Sequence, residues 1–470
     1  MTVTTAEPTA YRWRWLALVA VLAAEIMDLV DGTVVGIAAP SIRAELGGGD
    51  AMIQWVAAGY TLAFAAGLIT GGRLGDLYGR RRMFFLGLIG FVAASALCGL
   101  ATSPGMLIGF RVAQGLLGAM LIPQGFGILK ATFPPDDLGK AFGAFGPTIG
   151  LAVVGAPILG GALIAWDVAG LGWRTIFLIN VPLGLAALAL AAAVLPESRA
   201  EDGPRPDPVG MVLVSAGLAL LVFPLVEGRE LGWPAWTFGM LAAGVGLLAV
   251  FAAHQVWRSR AGRAPLVEPA LFRLRTFTAG MAVGLALFAG MTGLALALGL
   301  YLQLGLGYTP LQAGLTQAPW ALGIAAGSAL SGAVLAARLG RTGLQIGAVV
   351  AAAGLGGVLL TVTTAGQLTG WALAPSLAVC GFGLGLAMTP FFDITLAGVT
   401  LPLVGSASGV LNANQQLGGT VGVAVLGTVF FGLFDAGHPT GAMAAVLAAS
   451  AVLVLAAGAL AFRLPPRTER

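Results

Sequence analysis

Three acids stand three residues apart inside one apolar run. Glu25, Asp28 and Asp31 fall within a stretch near ~16–39 that is long enough to cross a bilayer as a helix. Steps of three residues advance by about 300°, so the trio lies within an arc of about 120°. An ionised acid at mid-bilayer costs about 2.5–3.5 kcal/mol, so three facing lipid would cost about 7.5–10 kcal/mol. They must therefore face the protein interior or a wet cavity, where carboxylates serve to bind and release protons or to meet a cationic group. Arg111 is the one basic residue inside a span, and the same cost demands an acidic partner. Asp31 is the first choice, with Glu25 or Asp28 as the alternative. An arginine that pairs with a carboxylate in one state and leaves it in another would couple protonation to helix movement.

Other residues suit a moving bundle. The segment after the second span reads Gly72-Arg-Leu-Gly-Asp76-Leu-Tyr-Gly79-Arg80-Arg81-Arg82. Basic residues alone would mark a membrane boundary, but not an acid among glycines at fixed spacing. Asp76 could pair with an arginine at a neighbouring helix N-terminus and lock one arrangement, making Gly72, Asp76, Gly79, Arg80 and Arg81 a gating loop. In the fifth span, Gly150, Gly155, Gly160 and Gly161 surround Pro157. Small residues there allow close approach, and the proline removes a helix hydrogen bond. Asn412, Asn414, Gln415 and Gln416 form a polar patch in the thirteenth span. They either bond between helices or line a cavity, Asn412 and Gln416 being the cavity candidates. Asp393 is read as snorkelling to the interface.

These residues need a membrane bundle to hold them. The 470 residues are 58% hydrophobic with 72 glycines besides, and only 9% are charged. A soluble chain averages about 25% charged, so a soluble enzyme, a secreted domain and a disordered chain are all excluded. Runs of about 20 apolar residues mark spans near ~16–39, ~52–72, ~83–101, ~105–130, ~141–165, ~175–195, ~208–227, ~236–256, ~276–301, ~311–337, ~343–364, ~371–396, ~404–433 and ~440–462. That is about fourteen helices, too long and too little alternating for barrel strands. With the N-terminus inside, twenty of the 24 Lys and Arg fall on inner segments. Arg43, Arg174 and Arg229 fall outside, and Arg111 lies in a span. Such a bias places both termini in the cytoplasm. The first run, span-length and acidic at its centre, is not read as a cleaved signal.

The segments Ala66–Asp76 and Ala326–Ala336 share an Ala-Gly, a glycine five residues on and a following Gly-Arg. They end the second and tenth spans, as two equivalent six-helix halves would require. The expected organisation is an N-terminal bundle (1–200), a linker with two inserted helices (201–260) and a C-terminal bundle (261–470), an architecture of transporters. The basic residues form no continuous stripe, so nucleic acid is not an expected partner. No P-loop pattern occurs. His254, His438, Cys98 and Cys380 form no expected metal site or disulfide. A membrane enzyme would need a reactive constellation that two distant histidines do not supply.

These motifs together resemble the major facilitator superfamily, in its fourteen-span drug:proton antiporter branch, over nearly the whole length. Gly72 to Arg82 resembles the loop motif after helix 2. Arg111-Val-Ala-Gln114-Gly115, with Gly118 and Pro123, resembles the helix 4 motif linked to proton coupling. Gly150 to Gly161 resembles the helix 5 motif of antiporters. Asp31-Gly-Thr33-Val-Val with Pro40 is similar to the helix 1 motif of the branch, and Trp173 to Gly184 to a signature leading into helix 6. Gly36 stands where the branch has Asn, and Ala156 where it has Gly before the proline. The thirteenth span lacks the acid that some multidrug relatives carry.

The resemblance implies a multi-pass exporter of the cell membrane, trading inward protons for an amphipathic drug or antibiotic. Glu25, Asp28, Asp31, Arg111, Gln114, Asn412 and Gln416 would form its coupling site and cavity. It would act as a monomer in the bilayer with no cofactor beyond the coupling proton. The alternative is a proton-linked carrier of another metabolite, inward or outward, on the same fold.

Overall fold

The computed structural model describes residues 11–134, 137, 141, 145–197, 207–332, 339–364, 368–399 and 403–465, apart from the side chains of some positions, Asp76 among them. The described residues form helices and no strands. In chain order these are α1 Arg14–Leu46, α2 Asp50–Tyr78, α3 Arg80–Gly99, α4 Pro104–Gly118, α5 Leu121–Thr132, α6 Phe145–Trp166 and α7 Asn180–Val194. Then come α8 Pro208–Glu227, α9 Ala235–Arg260, α10 Arg275–Leu300, α11 Pro310–Leu330, α12 Arg341–Thr364, α13 Gly370–Thr395, α14 Val404–Phe434 and α15 Pro439–Leu460. The helices run up and down between two ends. The base carries Arg14, Arg80 and Arg341, and the crown carries Asp50, Arg229 and Asp435.

Eleven helices among the described residues are long and apolar enough to cross a membrane. The fourteen expected spans are not reached by this count, because α1, α6 and α11 fall outside it. The acids of α1 interrupt its apolar character, and Gln312, Gln317 and two prolines dilute α11. Two boundaries differ from the sequence reading. The span expected at ~105–130 is broken at Ala119–Met120 into α4 and α5. The expected loop 72–82 is mostly helix: α2 continues to Tyr78 and α3 starts at Arg80, leaving Gly79 alone as the turn at φ 98°. Only glycine adopts that backbone readily, and a Cβ there would also lie 2.7 Å from the Glu197 carboxylate.

The helices α1 to α7 pack among themselves, as do α10 to α15, and the two groups meet where α2 lies on α14 and α6 on α11. Helix α8 packs on both α2 and α14 as well as on α9. Close backbone approach holds these contacts, since lipid supplies little hydrophobic drive between helices. On α11 and α13, Gly323 and Gly327 face Gly381 and Gly385 across the helix pair. A Cβ on Gly381 would lie 1.9 Å from the Trp320 carbonyl oxygen. The start of α11 is fixed by a capping box: Thr309 Oγ1 accepts from Gln312 N (3.2 Å), and Gln312 Oε1 accepts from Thr309 N (2.9 Å).

Candidate functional site

The acids of α1 do not share one environment. Glu25 is partly exposed and has no hydrogen bond or ion pair among the described residues. It lies on a stripe with Leu29, Gly32, Thr33 and Gly36, whose upper end meets Gly299 of α10. Gly32 and Thr33 are exposed although they sit mid-helix. This face of α1 therefore looks into the space between the two groups of helices. Asp28 and Asp31 turn into the first group and are buried. An arc of about 120° is wide enough to put one end on a cavity and the other in the packed interior.

Asp31 sits at the centre of a closed polar network. Its carboxylate accepts from Arg111 Nη1 of α4, from Gln114 Nε2 (2.9 Å) and from Asn180 Nδ2 of α7 (2.9 Å). Arg111 also donates to Gln114 Oε1 (2.8 Å) and, through Nε, to the Val56 carbonyl of α2 (3.1 Å). Ser95 of α3 accepts from Gln114 (3.1 Å) and Asn180 (2.8 Å) and donates to the Phe177 carbonyl (3.1 Å). Arg111 and Asp31 are fully buried, and the guanidinium lies 4.2 Å from the Tyr60 ring centroid. Arg111 Nη2 is left without a partner among the described residues. Five helices thus supply one ion pair with its satisfying donors, as a buried pair requires.

Asp28 has a different partner: the Tyr60 hydroxyl of α2 donates to its Oδ1. Tyr60 therefore separates the two buried acids, bonded to one and stacked on the arginine of the other. Glu25, Asp28 and Asp31 form a short series from the open face of α1 to its sealed face, with bonding partners increasing along it. Tyr60 and Ser95 were not singled out in the sequence, because one polar residue in an apolar helix carries no pattern. Asn180 could be found through the segment leading into helix 6.

The remaining candidates are spread over the bundle. Pro157, Gly160 and Gly161 of α6 form its contacts with α1 and α11. A Cβ on Gly160 would lie 2.0 Å from Val34 Cγ2, and one on Gly161 would lie 2.6 Å from the Pro310 carbonyl oxygen. The Pro157 carbonyl oxygen would lie 2.3 Å from a Cβ on Gly314. Gly155 faces open space. Asn412 and Gln416 are partly exposed on α14, Asn412 accepting from Gln415 Nε2 (3.3 Å), while Asn414 donates to the Met281 carbonyl of α10 (3.0 Å). Asp393 is exposed near the base end of α13. At the base, Arg80 Nη1 donates to the Gly127 carbonyl (3.2 Å) and Arg81 Nη2 to the Ala192 carbonyl (3.1 Å), so both bind within the first group. The surroundings of Gly72 and the side chain of Asp76 lie outside the described residues.

Several named contacts between the two groups lie from mid-bundle to the crown. Thr61 and Thr420 share a hydrogen bond of 2.7 Å, and Gln303 Nε2 donates to the Ile37 carbonyl (2.9 Å). Gln54 of α2 lies against Gly427 of α14.

The chain matches the profile of the Major Facilitator Superfamily over residues 21–423. It is 53% identical to a probable actinorhodin transporter of Streptomyces coelicolor over 92% of this chain and 75% of that protein. It is 36% identical to the tetracenomycin C resistance and export protein of Streptomyces glaucescens, over 88% of this chain and 76% of that one. Among solved structures, it is similar in fold to a bacterial homologue of the human lysosomal transporter Spinster, in an inward-facing and occupied conformation. That likeness has a TM-score of 0.67 at 16% identity and covers 96% of each chain.

Proposed function

Because the chain belongs to the major facilitator superfamily, a family of multi-pass membrane transporters, we propose that it exports an antibiotic from the cytoplasm in exchange for protons. The substrate class follows the relatives named for actinorhodin and for tetracenomycin C. Proton coupling rests on one observation: the graded series of α1, from the unpartnered Glu25 through Asp28 with Tyr60 to the sealed Asp31–Arg111 pair. Glu25 and Asp28 exchange the proton. Glu25, nearest the open face, also meets any cationic group of the substrate. Asp31 keeps its charge and anchors Arg111, while Gln114 and Asn180 hold both in place. Asn412 and Gln416 line the opposite wall of the cavity.

In this reading fourteen helices cross the membrane as two six-helix halves with α8 and α9 inserted, and both termini are cytoplasmic. The base is then the inner face and the crown the outer one. Contacts such as Thr61–Thr420 and Gln303–Ile37 support a state closed to the outside. The halves rock about the midplane cavity, and α6 against α11 is one bearing of that motion. The protein works as a monomer, with no metal and no cofactor other than the coupling proton.

The test is accumulation in a host deleted for its own efflux pumps. Cells producing the chain should retain less actinorhodin or tetracenomycin C than cells with an empty vector, and a protonophore should abolish the difference. Higher retention in producing cells would indicate import and overturn the proposal.

A further inference from the structure

The hairpin of α8 and α9 adds two helices to the halves, and its crown turn makes an unusual set of bonds. Three of them reach the start of α2. Glu227 Oε1 accepts from Trp55 Nε1 (2.6 Å), Glu230 Oε1 accepts from the Ala51 amide (2.6 Å), and Arg229 Nη2 pairs with Asp50. Arg43 of α1 takes the other Asp50 oxygen at 2.6 Å. The turn is tightly wound, with Trp233 at φ 51° and its amide bonded to the Gly228 carbonyl (2.7 Å). Gly49 leaves room for Glu230, whose Oε1 would lie 2.5 Å from a Cβ there.

The same turn also reaches the second half. Arg229 Nη1 pairs with Asp435 at the end of α14 (2.8 Å), and its guanidinium lies 5.7 Å from the Phe431 ring centroid. Thr428 of α14 donates to the Leu225 carbonyl of α8 (3.1 Å). Below the turn, Val222 and Val226 of α8 join a core cluster containing Ile53 of α2 and Phe430 of α14. Helix α8 thus lies over the seam between α2 and α14, and one guanidinium bridges carboxylates from both halves.

We propose that the inserted hairpin is a clasp on the outer gate. It travels with α2, and Arg229 is a positioning residue that holds the gate shut through Asp435 and releases it when the gate opens. This rests on the rocking motion proposed above. The bonds differ in strength in the way a clasp requires. Asp50 is buried and held by two arginines, whereas Asp435 is half exposed and held by one. An exposed ion pair shifts a two-state equilibrium by about two- to fivefold, which biases a gate without locking it.

The experiment measures spin–spin distances in nanodiscs, with labels on exposed sites. One pair, Thr102→Cys and Ala436→Cys, reports the crown, and another, Tyr78→Cys and Thr342→Cys, reports the base. Cys98 and Cys380 are buried. Each pair is read at pH 8 and pH 5.5 in the parent, Arg229→Ala, Arg229→Lys and Asp435→Asn. Arg229→Ala and Asp435→Asn should each raise the long-distance crown population about two- to fivefold and shorten the base distances reciprocally. Arg229→Lys should recover part of the parent distribution, which a general loosening would not. Asp435→Asn lies at an exposed site, so the test survives if Arg229→Ala folds poorly. Crown distributions that respond to pH but are identical in parent, Arg229→Ala and Asp435→Asn would overturn the clasp and leave the rocking motion standing. Distances that do not respond to pH in any protein, the parent included, would overturn both.

Discussion

Replacing Asp31 by Asn should harm the fold far more than replacing Asp28 by Asn, although the two acids are one helical turn apart. Asp31 is wholly buried and accepts from Arg111, Gln114 and Asn180. Neutralising it leaves the Arg111 guanidinium in the interior without a counter-charge, a change that costs about 3–5 kcal/mol. Arg111→Gln should cost a similar amount, because the carboxylate then stands alone. The double variant removes both charges and should cost less than the sum by about 3 kcal/mol. Asp28→Asn keeps an acceptor for the Tyr60 hydroxyl, so its cost should stay below about 1.5 kcal/mol. Unfolding titrations of the purified protein in mixed micelles give all four values. Single costs below about 1 kcal/mol that add within about 0.5 kcal/mol would refute the buried pair as the centre of the first half.

Three further outcomes follow from other contacts. Gly314→Ala should abolish export with normal membrane insertion, since its Cβ would lie 2.3 Å from the Pro157 carbonyl oxygen; Gly155→Ala, which faces open space, should be silent in the same accumulation assay. Asp207, just before α8, is raised by burial but pulled below the usual carboxylate range more strongly by hydrogen bonds from His254, the Gly210 amide and Gln255, with the Arg258 charge adding to them. Because its value is lower folded than unfolded, its contribution is complete above the unfolded value and is lost as pH falls through the folded one. Asp207→Ala should therefore lower the melting temperature at pH 7, by about 1–3 kcal/mol of stability, and narrow its gap to the parent in strong acid. Gln303→Leu should loosen the crown by removing the donor to the Ile37 carbonyl (2.9 Å), seen as faster labelling of a cysteine placed at Gly36.

What could be read from the sequence follows the cost of charge in oil. Glu25, Asp28, Asp31 and Arg111 stand out because an apolar helix tolerates such groups only for a reason, and all four lie on α1 and α4, with Asp31 and Arg111 paired at the buried centre. Their division into an open acid and two sealed ones was not legible, since it depends on how α1 is rotated against α2, α4 and α7. Tyr60 and Ser95 escaped notice because their importance lies in their partners rather than their type. Helix ends differ from the sequence reading where a helix continues beyond its apolar run. Thus α2 was expected to stop near ~72 and continues to Tyr78. The break at Ala119–Met120 lies one turn before Pro123, which has no N–H to donate to the Ala119 carbonyl and whose ring crowds it, so the sequence did carry its signal. Arg229 looked like a stray outer charge, and only the fold brings it between residues 50 and 435.

The central claim is that Glu25, on the open face of α1, and the buried Asp28 beside it give up protons when substrate binds. Purified protein in weakly buffered detergent, mixed with tetracenomycin C and a pH-sensitive dye, measures that release directly. The account predicts a proton signal from the parent and none from the Glu25→Gln/Asp28→Asn double variant, although the double variant stays folded. A signal of full size from that variant would contradict it.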